Sequence, residues 1–380
     1  MMRRAVRNVA LAAALSPLLA GCFLWSSDKG PKPTPLTAIQ ARTEVRVVWR
    51  SSVGNVSETL LRPAVAGTSV FAAAQNGDVV RIDNGRESWQ VRAPAKLVSG
   101  VGTDGKVIIA GSATGELLAF DADKGAVLWR TPLAGELTSS PLVADGLAIV
   151  RVGDNQLLAF DLKDGKRRWV YQRAQAPLSL RTYTGSLRVD DTILTGFPGG
   201  KLVALTTASG YPRWEASVTL PKGSNELERM ADVIGYPVQA GSSVCVASFQ
   251  GRVGCVDGKS GVVQWTRDIP SASGVSADDK FVYVSDEAGA VYALDLRTGA
   301  SSWKQDKLLY RGVGQPLAVG NQYVVVADEQ GWVHVLDRTD GQFVGRLQVD
   351  SDGISAPLVT YADSVIAQSR DGDIYMLSVR

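Results

Sequence analysis

Few residues of this 380-residue chain are suited to chemistry: one histidine, three cysteines and a set of evenly placed aspartates. His334 stands in the strand-like run Gly331 to Asp337. There is no second histidine to share a metal. No Gly-x-Ser-x-Gly, Cys-x-x-Cys or His-Glu-x-x-His pattern supplies a nucleophile or a ligand set. His334 therefore reads as a hydrogen-bonded sheet residue. Asp121, Asp161, Asp257, Asp295 and Asp337 each stand four residues before a glycine. A calcium loop needs more carboxylates at other spacings. The pattern is turn chemistry: the Asp side chain bonds the loop backbone and the glycine supplies a positive φ. Gly199-Gly200-Lys201 lacks the Ser or Thr and the spacing of a phosphate loop, and sits where a hairpin is expected. The expectation is no catalytic residue, no metal and no cofactor.

Cys245 and Cys255 flank Phe249-Gln250-Gly251, which reads as a tight hairpin. A three-residue loop would set the two thiols directly opposite each other. A disulfide and a pair of buried free thiols both stay open at this point.

The third cysteine has a different setting. The chain begins MMRRAVRNVALAAALSPLLAGC, with arginines first, an apolar run from Val9 to Ala20, then small residues. This is the pattern of a secretory signal. The run is shorter than the roughly 20 residues that span a bilayer. Leu19-Ala20-Gly21-Cys22 resembles the lipobox of bacterial lipoproteins. That resemblance implies a diacylglycerol on the Cys22 thiol, cleavage before it and acylation of the new amine. Each buried CH₂ contributes about 0.8 kcal/mol, and one chain binds only marginally, so three chains hold firmly. Phe23 follows where members kept at the inner membrane carry Asp, which implies the outer membrane. The expected layout is a signal peptide at 1–21, a lipidated Cys and a flexible or extended tether at 22–44, and a folded domain at 45–380. Composition agrees with a folded domain, at 45% hydrophobic and 21% charged. The formal charge of +2 becomes nearly neutral without Arg3, Arg4 and Arg7, which excludes a nucleic-acid binder.

The folded part repeats itself. GELLAFDADKGAVLW ends at residue 129, NQLLAFDLKDGKRRW at 169 and GAVYALDLRTGASSW at 303. Trp49, Trp89, Trp129 and Trp169 are spaced by 40 residues, and Trp214, Trp265, Trp303 and Phe343 continue the series less evenly. Each aromatic after the first follows an apolar run and a turn, and two further apolar runs precede them. Pro63, Pro141, Pro237, Pro316 and Pro357 open the first of these, as suits a strand start. Four strands of about 5–6 residues with their turns use about 40 residues. The prediction is all-β: an eight-bladed β-propeller of four-stranded antiparallel blades. Trp49 has no strand before it in its own unit, and Asp373 to Leu377 has no Trp strand after it. The two ends should make one blade and close the ring. The eight aromatics then dock blade against blade.

Two gaps exceed the period: Trp169 to Trp214, around Ala176 to Arg181, and Trp214 to Trp265, around Ser224 to Asp232. Both follow a Trp strand, so both emerge on one face and should form a single raised lip. A short helix is expected at Asn225 to Met230.

Across Val45 to Arg380 the repeat phrase resembles that of the pyrroloquinoline-quinone dehydrogenases, periplasmic eight-bladed propellers. That family holds its quinone with a neighbouring Cys pair, a Trp platform and a calcium site; no adjacent Cys pair exists here. Fold alone does not carry the activity. Lipobox, tether and eight such blades together resemble the lipoprotein family of the outer-membrane β-barrel assembly complex. This resemblance implies a non-enzymatic scaffold on the periplasmic face of the outer membrane. It would bind the POTRA domains of the central barrel protein BamA, and either orient them or hold unfolded outer-membrane proteins nearby. The family's partner-binding segment resembles Leu178-Ser179-Leu180-Arg181 and the acidic stretch beyond Met230, which nominates Leu178, Leu180, Arg181 and Asp232. Ile234 stands where some relatives carry a second acid. Rival expectations are a quinone-dependent dehydrogenase-like propeller and a peptidoglycan- or peptide-binding propeller.

Overall fold

Thirty-two strands pair into eight antiparallel sheets of four. They belong to a computed structural model that describes residues 30–56, 61–153, 155–174, 178, 183–221, 223–354 and 356–380. Blades 1 to 7 occupy residues 64–92, 102–132, 142–172, 186–217, 233–268, 275–305 and 317–348. Blade 8 combines the three strands of residues 359–379 with Val45–Ser52. The innermost strand of each blade touches that of the next, and blade 8 touches blade 1, so the ring closes. This is an eight-bladed β-propeller, and among the described residues it contains no helix.

Burial follows from position in the blade. The second strand of blade 3, Leu147–Val152, is buried at every residue. It is covered on both faces by neighbouring blades and is apolar at every residue but Arg151. The outer strand, Arg167–Gln172, is mostly exposed and buries chiefly Trp169. The chain ends meet as expected: Val45 lies opposite Val379 and Ser52 opposite Asp373. Glu44 and Arg380 exchange backbone hydrogen bonds beyond the last pair, and Arg50 pairs with Asp373.

The repeated aromatic and the repeated glycine prove to be one device. Each Trp of an outer strand lies on the turn glycine of the next blade. A Cβ on Gly125, Gly165 or Gly299 would stand 2.5–2.9 Å from Cε3 of Trp89, Trp129 or Trp265. These turn glycines also adopt φ of +67° to +69°, so both space and backbone demand glycine. The indole N–H groups of Trp89, Trp129, Trp169, Trp265 and Trp303 donate to the carbonyls of Ala122, Leu162, Thr207, Leu296 and Arg338 at 2.8–3.1 Å. Phe343, expected as the eighth of these aromatics, does not hold that place: it stands opposite Leu336, as Ser301 stands opposite Leu294 in blade 6, and it packs in the cluster that holds Trp303. Gly345 holds the Trp register of blade 7, and a Cβ there would meet Thr43 O at 2.9 Å and Val45 Cγ2 at 3.0 Å, so the start of the closing strand fills the space of the ring.

Residues 34–44, expected within a flexible or extended tether, lie extended against blades 6 and 7. Thr34 N–H donates to Leu309 O at 3.0 Å, and Arg42 and Thr43 both donate to Val344 O at 2.8 and 3.0 Å. Leu36 and Ile39 pack against the apolar cluster that holds Trp303 and Phe343. Two apolar side chains in a proline-rich stretch gave little sign of this docking. Cys22 lies outside the described residues.

Candidate functional site

His334 is fully buried at the heart of blade 7. Arg346 Nε donates to His334 Nδ1 at 3.0 Å, so the ring proton sits on Nε2 and faces Asp328 Oδ2 at 3.0 Å. Arg311 Nε donates to the same carboxylate oxygen at 2.6 Å. Burial holds the imidazole below its ordinary pKa, against the pull of Asp328. The two arginines also reach the docked N-terminal segment: Arg311 donates to Thr34 O at 3.2 Å and Arg346 to Thr37 O at 2.9 Å. The lone histidine is thus a satisfied part of a structural charge cluster, with no open position for a substrate. Among the described residues, no group of three or more His, Cys, Asp or Glu could hold a metal.

The two long connections both leave an outer strand and enter the next innermost strand, so they rise on one face, over blades 3 to 5. Leu178 is 45% exposed, while Leu180 and Arg181 lie outside the described residues. In the second connection Leu220 and Leu227 are 65% and 60% exposed. Leu220 escaped sequence reasoning; its signal was an apolar residue before Pro221, immediately past the end of an outer strand. The expected helix at Asn225 to Met230 is only a turn: Arg229 N–H donates to Asn225 O at 3.2 Å, and Met230 N–H to Leu227 O at 3.3 Å. Its start is well capped. Glu228 accepts from Ser224 N–H at 2.7 Å and Oγ at 2.9 Å, which holds its carboxyl below the usual range. One capped turn without a continuing apolar face does not propagate.

Asp232, expected as a surface contact, is 4% exposed. Its charge acts on Arg151, itself buried in blade 3, two blades back along the ring. Arg151 lies over the Phe197 ring at 4.4 Å and donates to Gly196 O. Burial pushes its pKa down to about 10, and Asp232 opposes that fall. A buried cation requires a compensating anion, so Asp232 supports the lip from within and does not present its carboxylate outward.

The roots of the two connections are tied together. Thr184 and Gly235 form a parallel bridge between blades 4 and 5. Gly235 N–H donates to Tyr183 O and Gly185 N–H to Gly235 O, each at 2.9 Å, and Thr184 Oγ1 donates to Val233 O at 2.8 Å. Blade 5 carries a second tie. Cys245 and Cys255 are direct cross-strand partners with Cα atoms 4.1 Å apart, and they are joined as a disulfide.

Comparison with known proteins shows the family. The family model described as "Outer membrane protein assembly factor BamB" matches residues 75–305. The outer membrane protein assembly factor BamB of Burkholderia pseudomallei is 38% identical, with 99% of this chain and 98% of that protein covered. The chain belongs to the BamB family. The Escherichia coli member is 30% identical, with 98% of this chain and 99% of the relative covered. The crystal structure of BamB from Moraxella catarrhalis superposes with a TM-score of 0.82 at 27% identity, covering 88% of this chain and 99% of that one. Quinohemoprotein alcohol dehydrogenase from Comamonas testosteroni reaches 0.68 at 14% identity, over 88% of this chain and 76% of that one, a likeness of fold alone. The propeller repeat is thus shared with oxidoreductases, while the full-length likeness is to the BamB assembly factors.

Proposed function

We propose that this chain is a non-enzymatic scaffold of outer-membrane protein assembly. It hangs from the periplasmic face of the outer membrane by lipid on Cys22, and docks through its lip on the POTRA domains of BamA. The observation that carries the docking is the lip itself. Three leucines, 178, 220 and 227, stand in solvent on loops whose roots are hydrogen-bonded blade to blade. Exposed apolar side chains on a rigid base suit an interface with an apolar centre and a charged rim. Leu180 and Arg181 continue the same segment and belong to the proposed contact.

The test is co-purification. Leu178→Asp combined with Arg181→Glu should abolish recovery of BamA and leave the thermal midpoint of the isolated chain nearly unchanged. Normal recovery would sink the lip assignment. Catalysis is tested separately. With pyrroloquinoline quinone and calcium added, the chain should reduce no dye in the presence of alcohols or sugars, and turnover would overturn the scaffold reading.

A further inference from the structure

On the propeller axis, at the lip-side mouth of the ring, three side chains from separate blades meet. Arg62 stands just before the innermost strand of blade 1, Tyr183 just before that of blade 4, and Tyr236 within that of blade 5. Blades 1 and 5 are four apart in a ring of eight, so Arg62 reaches across the central opening. Its guanidinium lies over the Tyr236 ring at 4.5 Å, and Tyr183 meets the same ring edge-on, centroids 4.9 Å apart. The arrangement is built into the backbone. Gly185 has no room for a side chain because Tyr236 occupies the space, and Gly100 lies against the Arg62 backbone and Ser140 Oγ.

This arginine differs from many others of the ring. Arg81, Arg92, Arg173, Arg188, Arg252, Arg311 and Arg338 each pair with a carboxylate. Among the described residues Arg62 makes no ion pair, and the groups that act on it against the cost of burial are the hydroxyls of Tyr236 and Tyr183. Arg62 Nε, both phenol oxygens and Ser140 Oγ are buried close to one another, and none of them makes a well-formed hydrogen bond among the described residues. Burial and the neighbouring ring push the Tyr183 phenol well up, so it stays a neutral donor. The three residues keep part of their surface in solvent while these polar atoms are covered, so a ligand would have to enter among them. Donors of one kind converging on one spot, with a charge that no carboxylate among the described residues answers, suit an anion. A guanidinium stacked on an aromatic ring keeps its edge free for two parallel bonds, the geometry of a carboxylate.

We propose that Arg62, Tyr183 and Tyr236, with Ser140 beside them, form an axial binding site for a carboxylate that enters from the lip side. The carboxylate comes from a free small acid or from the end of a peptide chain. The site does not depend on the proposed docking to BamA, and its test reads a separate signal.

Binding to the purified full chain is measured by titration calorimetry at matched ionic strength. The probes are succinate, triglycine and triglycine amide. Saturable binding of succinate assigns a small acid. Binding of triglycine but not of its amide assigns a chain terminus. Arg62→Gln should weaken either by about tenfold or more, because a charge-assisted bidentate contact is lost. Tyr236→Phe keeps the stacked ring and removes one hydroxyl, and should weaken binding by a smaller factor, which provides the test even if Arg62→Gln fails to fold. No saturable binding by any probe, equal binding of the amide and the acid without succinate binding, or undiminished binding in both variants would overturn the site.

Discussion

Two places break the forty-residue repeat, and they break it in opposite ways. At the closure, around blades 7, 8 and the N-terminal segment, every irregular element is consumed internally. Thr43 and Val45 fill the space beside Gly345 that a Trp takes in the other blades, the chain ends pair with each other, and His334 and Arg311 answer Asp328. At the lip, over blades 3 to 5, the added residues leave leucines in solvent. Irregularity that satisfies itself holds the ring shut, whereas irregularity that stays unsatisfied at the surface is left for a partner. Variants at the closure should therefore cost stability, and variants at the lip should cost binding.

The largest effect is expected at the charge cluster. Asp328→Ala leaves Arg311 without its carboxylate in a buried site, which costs about 3–5 kcal/mol. It also removes the anchor of the arginine that holds Thr34. Limited proteolysis should then cut within residues 34–44 of the variant and spare them in the parent. A protected segment in the variant would show that Leu36, Ile39 and the backbone bonds suffice.

Gly345→Trp is the next test and runs against consensus. It places in blade 7 the residue that the other blades carry at this register and should still destabilise, by about 1–3 kcal/mol, because Thr43 and Val45 already fill the space. A stabilised variant would show that the closing strand can make room for an indole.

These closure features also mark the limit of what the sequence made legible. The spacing of Trp89, Trp129 and Trp169 and the orphan strands at both ends predicted the fold and its closure, because a repeat states its own period. The site was legible in place but not in detail. The two over-long gaps located the lip, and the family resemblance named Leu178 within it. Asp232 was read as a surface acid because its counter-charge, Arg151, comes from another blade and no local pattern joins them. The glycines were read for their turns alone, since the Trp that rests on each belongs to the preceding blade. Such contacts are set by blade packing and not by neighbours in the chain.

A smaller effect should appear with pH. Burial holds His334 below its ordinary value of 6.5, with Asp328, Arg346 and Arg311 as the charges facing it. The unfolded chain then takes up a proton at higher pH than the folded chain does. Stability is full above the unfolded value and falls as acidification passes through it, until the folded value is reached. One proton limits the slope to about 1.4 kcal/mol per pH unit. No second histidine exists, so this window belongs to one side chain. Chemical unfolding at stepped pH should show the slope in the parent and lose it in His334→Gln; an unchanged slope would assign it elsewhere.

The smallest stability effect, and the sharpest contrast, belongs to the lip. Leu220 and Leu227 are mostly in solvent, so Leu220→Asp with Leu227→Asp removes little packing. Surface changes of this kind stay within about 0.5 kcal/mol. The unfolding midpoint should match the parent while recovery of BamA falls. A midpoint lowered as far as by Asp328→Ala would make these leucines part of the ring's own structure, and the contrast between the two regions would fail. An unchanged midpoint with undiminished recovery would confine the contact to the first connection, at Leu178 to Arg181. Loss of recovery at full stability is the outcome that only a surface left for a partner produces.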